Sequence, residues 1–178
     1  METTTGPAMD RAIFEQWHRE VHEREKPRIA IIASKGTLDM AYPPLILATT
    51  AAAMDMEVAV FFTFYGLDII NKHKLASLKV APIANPAMPM PVPNLLGIVP
   101  GMTALATAML KRMMAAQHMP TIAQLLELAK QSGVRLIACT TTMGIMGVKK
   151  EDLIEEVELE GAAAFLDYAV RGHISLFI

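Results

Sequence analysis

The chain has one cysteine, Cys139, and its place in the sequence indicates what chemistry it could do. It closes the apolar, β-rich run 134–139, and a polar stretch with two glycines, 140–147, follows at once. In an open α/β sheet this pattern places a thiol at the carboxyl end of a strand, where such sheets build their sites. Backbone N–H groups of a strand-to-helix turn favour the anionic, nucleophilic form of that thiol. A buried thiol that only fills space is the alternative interpretation.

The expected neighbours of Cys139 follow from the geometry of a parallel sheet. The carboxyl ends of parallel strands share one edge, so the segments 34–37, 65–68 and 139–147 are expected to converge there. The candidate anion-stabilising or neighbouring residues are Thr140, Thr141, Thr142, Lys35, Ser34 and Tyr65, with Thr37 and Asp39 beside them. Lys35 is the expected electrostatic helper of this group.

The sequence predicts no bound cofactor and no metal. The turn at 34–37 lacks the glycine pattern of a phosphate loop or of a dinucleotide fingerprint. His18 and His22 are four residues apart, but they do not form the His-Glu-x-x-His pattern of zinc hydrolases, and a solvated helix face is favoured. One cysteine cannot build a cysteine-rich zinc site or an internal disulfide.

The composition restricts the class of protein. Apolar residues make up 53% of the 178 residues and charged residues only 19%, which predicts a homo-oligomer that covers apolar surface; a peripheral membrane contact is the rival explanation. The net charge of −2 and the lack of a basic run argue against nucleic-acid binding. A single cysteine fits a reducing cytoplasm, so a cytoplasmic location is expected. The N-terminus is polar and charged through Lys26, unlike a secretory signal.

The apolar pattern predicts strands that alternate with helices. Strands are predicted at 28–33, 58–65, 134–139 and 174–178, and helices at 10–24, 38–56, 67–74, 102–117, 120–132, 149–156 and 161–171. Pro43 and Pro44 either kink the second helix or delay its start. The strands are continuous apolar runs, which is typical of a parallel sheet covered on both faces.

The chain is interpreted as one α/β domain at 27–178, preceded by an N-terminal tail and amphipathic helix at 1–26. Six prolines fall within residues 80–101 and predict a long irregular loop. A loop of that length in a compact domain is usually functional or packed on a partner.

Three segments carry a resemblance to a known family. They are Ile29–Ala33 followed by Ser34-Lys35-Gly36, Val58–Phe64 followed by Tyr65-Gly66-Leu67, and the run from Ile137 to Gly147 with its Cys-x-x-x-Met-x-x-Met-Gly pattern. Together they resemble the DsrE/DsrF/DrsH-like superfamily over residues 27–178, and most of all the second DsrE subtype, often labelled "peroxiredoxin family protein". The resemblance implies a flavodoxin-like three-layer sandwich with a mostly parallel sheet of about five strands and helices on both faces. It also implies assembly into homo-oligomers.

The resemblance further implies a cytoplasmic sulfur carrier or sulfurtransferase. A cysteine of such proteins takes a sulfane sulfur as a persulfide from a rhodanese-like or TusA-like partner and hands it on. Only Cys139 carries over as the sulfur acceptor. Several relatives have a second cysteine and this chain has none, which argues against an intramolecular disulfide and against a self-sufficient peroxidase.

Two hypotheses of different kinds remain open from the sequence. The first is persulfide relay on Cys139. The second is a non-catalytic assembly or membrane-docking module that uses the apolar region 80–117 as its interaction surface. Nucleotide or flavin binding at the strand edge is a minor third, because no fingerprint supports it.

Overall fold

A computed structural model describes residues 26–81 and 101–178, together with Arg11, Ile13 and Glu15, which are helical. The rest of the predicted N-terminal helix, with His18 and His22, lies outside the described residues. Residues 82–100, which make up most of the proline-rich loop predicted at 80–101, also lie outside the described residues.

Five strands form one sheet in the order β4-β3-β2-β1-β5, and every pair is parallel. The strands are β1 (Arg28–Ala33), β2 (Glu57–Phe62), β3 (Arg135–Cys139), β4 (Val157–Glu160) and β5 (Ile174–Phe177). The three central strands, β1 to β3, are almost entirely buried, which explains why they read as continuous apolar runs. The predicted α/β class with a parallel sheet of about five strands is confirmed.

Five α-helices and three short 3₁₀ turns connect the described strands. The helices are α1 (Leu38–Ala53), α2 (Met102–Ala116), α3 (Ile122–Gln131), α4 (Thr140–Met146) and α5 (Ala162–Ala169). The 3₁₀ turns are Phe64–Ile69, Leu75–Ser77 and Lys150–Asp152. Helix α1 begins at Leu38 and passes through Pro43 and Pro44, so the prolines do not delay its start.

Two predicted helices are wrong. In place of a helix over 149–156 there is the turn Lys150–Asp152, and the strand β4 then follows, which the sequence did not reveal. The carboxylates of Glu158 and Glu160 on β4 accept hydrogen bonds from Arg135 on β3, so two charged residues stabilise a strand that lacks an apolar run.

The helix predicted at 67–74 is replaced by the turns Phe64–Ile69 and Leu75–Ser77. Asn71 explains the change, because its side chain accepts the N–H of His73 at 2.9 Å and its backbone bridges to Leu153. This local bond offers the backbone an alternative to the helix.

The sheet has two unequal faces. The major face, which carries Ile31, Val60 and Leu136, holds the main core and is covered by α1 and α3, with α2 and α4 packed at its margin. The minor face carries Phe61, Ile137 and Cys139, and α5 is the one helix of the described residues that covers it. The predicted helices on both faces are therefore confirmed, and within the described part of the chain the minor face has the thinner cover.

Helix α5 is attached to the minor face by aromatic contacts. The rings of Phe165 and Phe61 stack with their centroids 4.6 Å apart. The Tyr168 ring lies beside two guanidinium groups, at 4.9 Å from Arg28 and 5.4 Å from Arg135. Burial raises the pKa of Tyr168 to about 12, against the lowering effect of the two guanidinium groups. These contacts hold the helix over the centre of the sheet.

Two glycines allow the turns after β1 and β2 to approach each other closely. A Cβ on Gly66 would lie 2.0 Å from the carbonyl oxygen of Ala33, and a Cβ on Gly36 would lie 2.2 Å from that of Tyr65. The Gly66 N–H also donates to the carbonyl of Ser34 at 3.2 Å. No side chain larger than hydrogen fits at either position without moving the backbone.

We therefore predict that Gly66→Ala lowers the free energy of unfolding by about 1–3 kcal/mol or more, because the added methyl group must displace a backbone carbonyl. Gly144→Ala is the matched control, since it lies in α4 with nothing within 4 Å of its added Cβ. That change should be neutral or stabilise the protein by up to about 1 kcal/mol. Urea denaturation of both variants measures the difference, and equal stabilities would contradict the close approach.

Candidate functional site

Cys139 is the last residue of β3, and α4 begins at the next residue. Because side chains alternate along a strand, its sulfur lies on the minor face together with Ile137. It belongs to the small apolar cluster that includes Phe61 and Phe165 and is 5% exposed. Thr140, the next residue along the chain, is exposed, so the thiol lies just below the surface at the edge of the sheet.

Two threonine hydroxyls from different elements meet beside the sulfur. Thr142 comes from the first turn of α4 and is 3% exposed, and Thr63 follows the last residue of β2. Their Oγ1 atoms are 2.9 Å apart, which is a hydrogen bond in which either hydroxyl can be the donor. Phe62 pairs with Ala138, so Thr63 lies at the end of the strand next to Cys139.

Burial and hydrogen bonding act in opposite directions on the thiol. Burial raises the pKa of Cys139, but hydrogen bonds to the thiolate from the Thr142 side chain and N–H, from the Thr63 hydroxyl and from the Thr141 N–H together lower it below its ordinary value. The Cys139 side chain accepts no capping hydrogen bond from α4. These donors therefore act mainly on the charged form of the sulfur, which binds them more strongly than the neutral thiol does.

The other two threonines of the predicted group occupy the rim. Thr140 and Thr141 are both exposed, and the Thr140 hydroxyl donates to the backbone carbonyl of Glu160 at 3.4 Å. The Thr141 N–H is among the groups that lower the pKa of Cys139. Of these three threonines, Thr142 is the one whose side chain also lowers that pKa.

Ser34, Lys35 and Tyr65 lie at the same edge of the sheet but farther from the sulfur. β2 separates β1 from β3, so Ser34 is roughly 10 Å away by strand spacing. Its hydroxyl donates to the carbonyl of Ile178 at 3.0 Å. Lys35 is exposed, and Tyr65 is 66% exposed in the turn after β2. Among the described residues, none of these three side chains is one of the groups that shift the pKa of Cys139.

Thr63 and Glu160 were not among the predicted site residues. Thr63 lay inside the strand predicted at 58–65, whereas the strand ends at Phe62 and leaves Thr63 at the edge of the sheet. Glu160 was overlooked because β4 was not predicted; it pairs with Cys139 in register. Its carboxylate accepts a hydrogen bond from Arg135 at 2.9 Å, so an ion pair offsets its negative charge beside the thiol.

The backbone turns sharply after Thr63. Phe64 has a φ of 46°, in the left-handed region that bulky residues rarely adopt, and its side chain is 55% exposed. Such strained residues persist where surrounding structure fixes them, and they are concentrated at functional sites.

The arrangement suits one nucleophile that works alone. Within residues 26–81 and 101–178, no group of three His, Cys, Asp or Glu side chains could hold a metal ion. A single thiolate with hydrogen-bond donors around it can attack an electrophilic sulfur and carry a modified sulfur afterwards.

Comparison with known proteins identifies relatives with sequences of similar length. The sequence model of the DsrE/DsrF/DrsH-like family matches residues 25–177. The sulfur carrier protein DsrE2 of Allochromatium vinosum is 45% identical over 160 residues, covering 86% of this chain and 99% of its own. The uncharacterized protein YrkE of Bacillus subtilis is 32% identical over 161 residues, covering 85% of this chain and 96% of its own.

A solved structure supports the fold independently. The crystal structure of the ychN protein from E. coli superimposes with a TM-score of 0.53 at 13% identity, covering 85% of this chain and 99% of that one. At this identity the likeness establishes the fold only.

We predict that Cys139 is alkylated with a lower pH midpoint in the native chain than in the urea-denatured chain. The native pKa is lowered, so at a given pH below about 8.5 more of the native thiol is thiolate. Alkylation rates from pH 5 to 10, read by intact mass, report on this residue alone because the chain has a single cysteine. A native midpoint at or above the denatured one would contradict the hydrogen-bonded thiolate.

Proposed function

Because the chain belongs to the DsrE/DsrF/DrsH-like family, we propose that it is a sulfur carrier of the DsrE type that relays sulfane sulfur as a persulfide on Cys139. The observation that carries this proposal is the thiol at the end of β3. Hydrogen bonds lower the pKa of this thiol even though it is buried. The name of the relative from Allochromatium vinosum, a sulfur carrier protein, supports the same function.

The proposed transfer step needs no external oxidant. The Cys139 thiolate attacks the terminal sulfur of a donor persulfide, R–S–SH. The donor S–S bond breaks and a new S–S bond forms on Cys139. The donor leaves as a thiolate and takes up the proton of the transferred sulfur, which leaves Cys139 as a persulfide anion. The reverse exchange with an acceptor thiolate returns Cys139 to its starting state, so one cysteine is sufficient.

The hydrogen-bond donors around the sulfur have a defined role in this step. The hydroxyl and N–H groups that stabilise the thiolate increase the fraction of Cys139 that is nucleophilic near neutral pH. They remain beside the sulfur after transfer, where they can stabilise the persulfide anion. The apolar cluster beneath it, with Phe61 and Phe165, limits the water that reaches the sulfur.

The proposal extends to partners and location. A rhodanese-like or TusA-like protein is the proposed donor or acceptor, since the sulfur must pass between cysteines of two proteins in direct contact. A reducing cytoplasm is the proposed location, because a single free thiol is stable there. A homo-oligomer is proposed from the apolar composition.

A second candidate function rests on helix α2. Leu105, Met109 and Met113 repeat every four residues along it and are 64%, 49% and 53% exposed. This apolar stripe lies on a helix with one buried residue, Thr107, and is an unusual surface for an isolated chain. It favours an assembly or docking role, alone or alongside sulfur transfer. Among the described helices, none is long and apolar enough to cross a membrane.

Incubation with a low-molecular-weight persulfide donor tests the sulfur-carrier function. The native chain should gain the mass of one or more sulfur atoms, and the gain should be reversed by a reductant. Cys139→Ser and wild-type protein alkylated beforehand are the controls and should gain nothing. Persulfide formation only after denaturation would mean that Cys139 is structural.

Double substitution Leu105→Lys and Met109→Lys tests the apolar stripe on α2. Two added charges should lower the solution mass measured by light scattering, or the fraction that sediments with lipid vesicles, and leave persulfide loading intact. The control is Arg112→Lys on the same helix, which keeps its charge. Unchanged mass and unchanged sedimentation would count against the docking role.

A further inference from the structure

The hydrogen bond between Thr63 and Thr142 links the ends of two strands at the sulfur. Thr142 is in the first turn of the helix that Cys139 begins, while Thr63 approaches from β2. A hydroxyl has one hydrogen, so in the pair one oxygen donates and the other accepts. The accepting hydroxyl keeps its own hydrogen free for a third atom. The sulfur of Cys139 is the nearby acceptor, and of the two hydroxyls that of Thr142 does more to lower its pKa.

Thr63 is held in place by its backbone on both sides. Its N–H donates to the carbonyl of Ala33 at 3.0 Å, and its carbonyl accepts the N–H of Gly66 at 2.9 Å. The left-handed Phe64 follows and turns the chain away. The position of its backbone is therefore fixed by the same close approach of turns that the glycines allow. Thr142 lies in a helix, where a threonine side chain divides between two χ1 rotamers.

We propose that Thr63 is a positioning residue that holds the Thr142 hydroxyl on the sulfur of Cys139 and so maintains the thiolate that accepts sulfur. This inference rests on the proposed sulfur-carrier function and adds a determinant of its pH range. In this arrangement Thr142 donates its hydrogen to the sulfur and Thr63 donates to Thr142, so Thr63 acts on the sulfur through Thr142 rather than by donating to it directly.

Nearby charged groups do not stabilise the Cys139 thiolate in place of these hydroxyls. On the described elements around the thiol, Glu158 and Glu160 of β4 are paired with Arg135, and Asp68 in the turn after β2 is paired with Lys74 at 2.7 Å. Lys35 is exposed at the end of β1, and α4 carries no charged residue. Hydroxyl and amide donors are thus the groups left to stabilise the negative sulfur.

Four variants test the role of Thr63 through the pH profile of Cys139 alkylation. Thr63→Val and Thr142→Val remove a hydroxyl at nearly constant shape, and each should move the midpoint up by about one pH unit, the size expected for one hydrogen bond to a charged group. Thr63→Ser keeps the hydroxyl and should restore the wild-type midpoint. Thr141→Val, at an exposed side chain whose backbone N–H is retained, should leave it unchanged. Thr63→Ala replaces Thr63→Val if the valine variant does not fold.

A midpoint that rises in Thr142→Val but not in Thr63→Val or Thr63→Ala would overturn the positioning role. A rise of the alkylation midpoint in Thr141→Val equal to that in Thr63→Val would overturn it as well, because the effect would then be a general loosening of the turn. Persulfide loading of wild-type protein at high pH is measured in parallel. Absence of loading there refutes the sulfur-carrier function, while the alkylation profile still decides the role of Thr63.

Discussion

The position of the site depends on the close contact between the turns after β1 and β2. Gly66 lies against the carbonyl of Ala33 at a distance that leaves no room for a Cβ, and its N–H bonds to the carbonyl of Thr63. This contact ends β2 at a fixed residue and directs the chain out of the sheet. The hydroxyl after the strand is consequently placed next to β3 rather than at some other point along the edge. The environment of Cys139 is thus set by packing of the backbone two strands away.

The unequal faces of the sheet explain why this thiol differs from a core cysteine. On the major face, a thiol would be surrounded by the side chains of α1 and α3 and would lack hydrogen-bond donors. On the minor face, apolar groups lie beneath the sulfur and the first turn of α4 lies above it. Burial alone can raise a thiol pKa by several units, whereas donors at short range each oppose it. At the edge of the sheet the burial is incomplete, and the hydrogen-bond donors lower the pKa of Cys139 by more than burial raises it.

The central part of the fold could be predicted from the sequence because its signals are local. Three buried strands read as apolar runs, and the position of Cys139 at the end of one of them was evident from its neighbours. β4 could not be predicted, because Val157–Glu160 is stabilised by Arg135 from another strand rather than by its own pattern. The pair of Thr63 and Thr142 could not be predicted either, since it depends on which strands are neighbours. Strand order is a property of the whole chain, and no segment encodes it locally.

The position of β5 has a consequence for the order in which the chain folds. β5 pairs with β1. The Arg28 N–H also donates a hydrogen bond to the His173 side chain, which is 145 positions away in the sequence. Closing such a loop costs entropy that short-range contacts do not, and contacts of this separation form late and slow folding. The sheet is therefore expected to grow from β1, β2 and β3, with the outer edge of β1 unpaired in the intermediate. Another partly folded chain can pair with the unpaired edge of β1. Productive folding therefore competes with aggregation until β5 is in place.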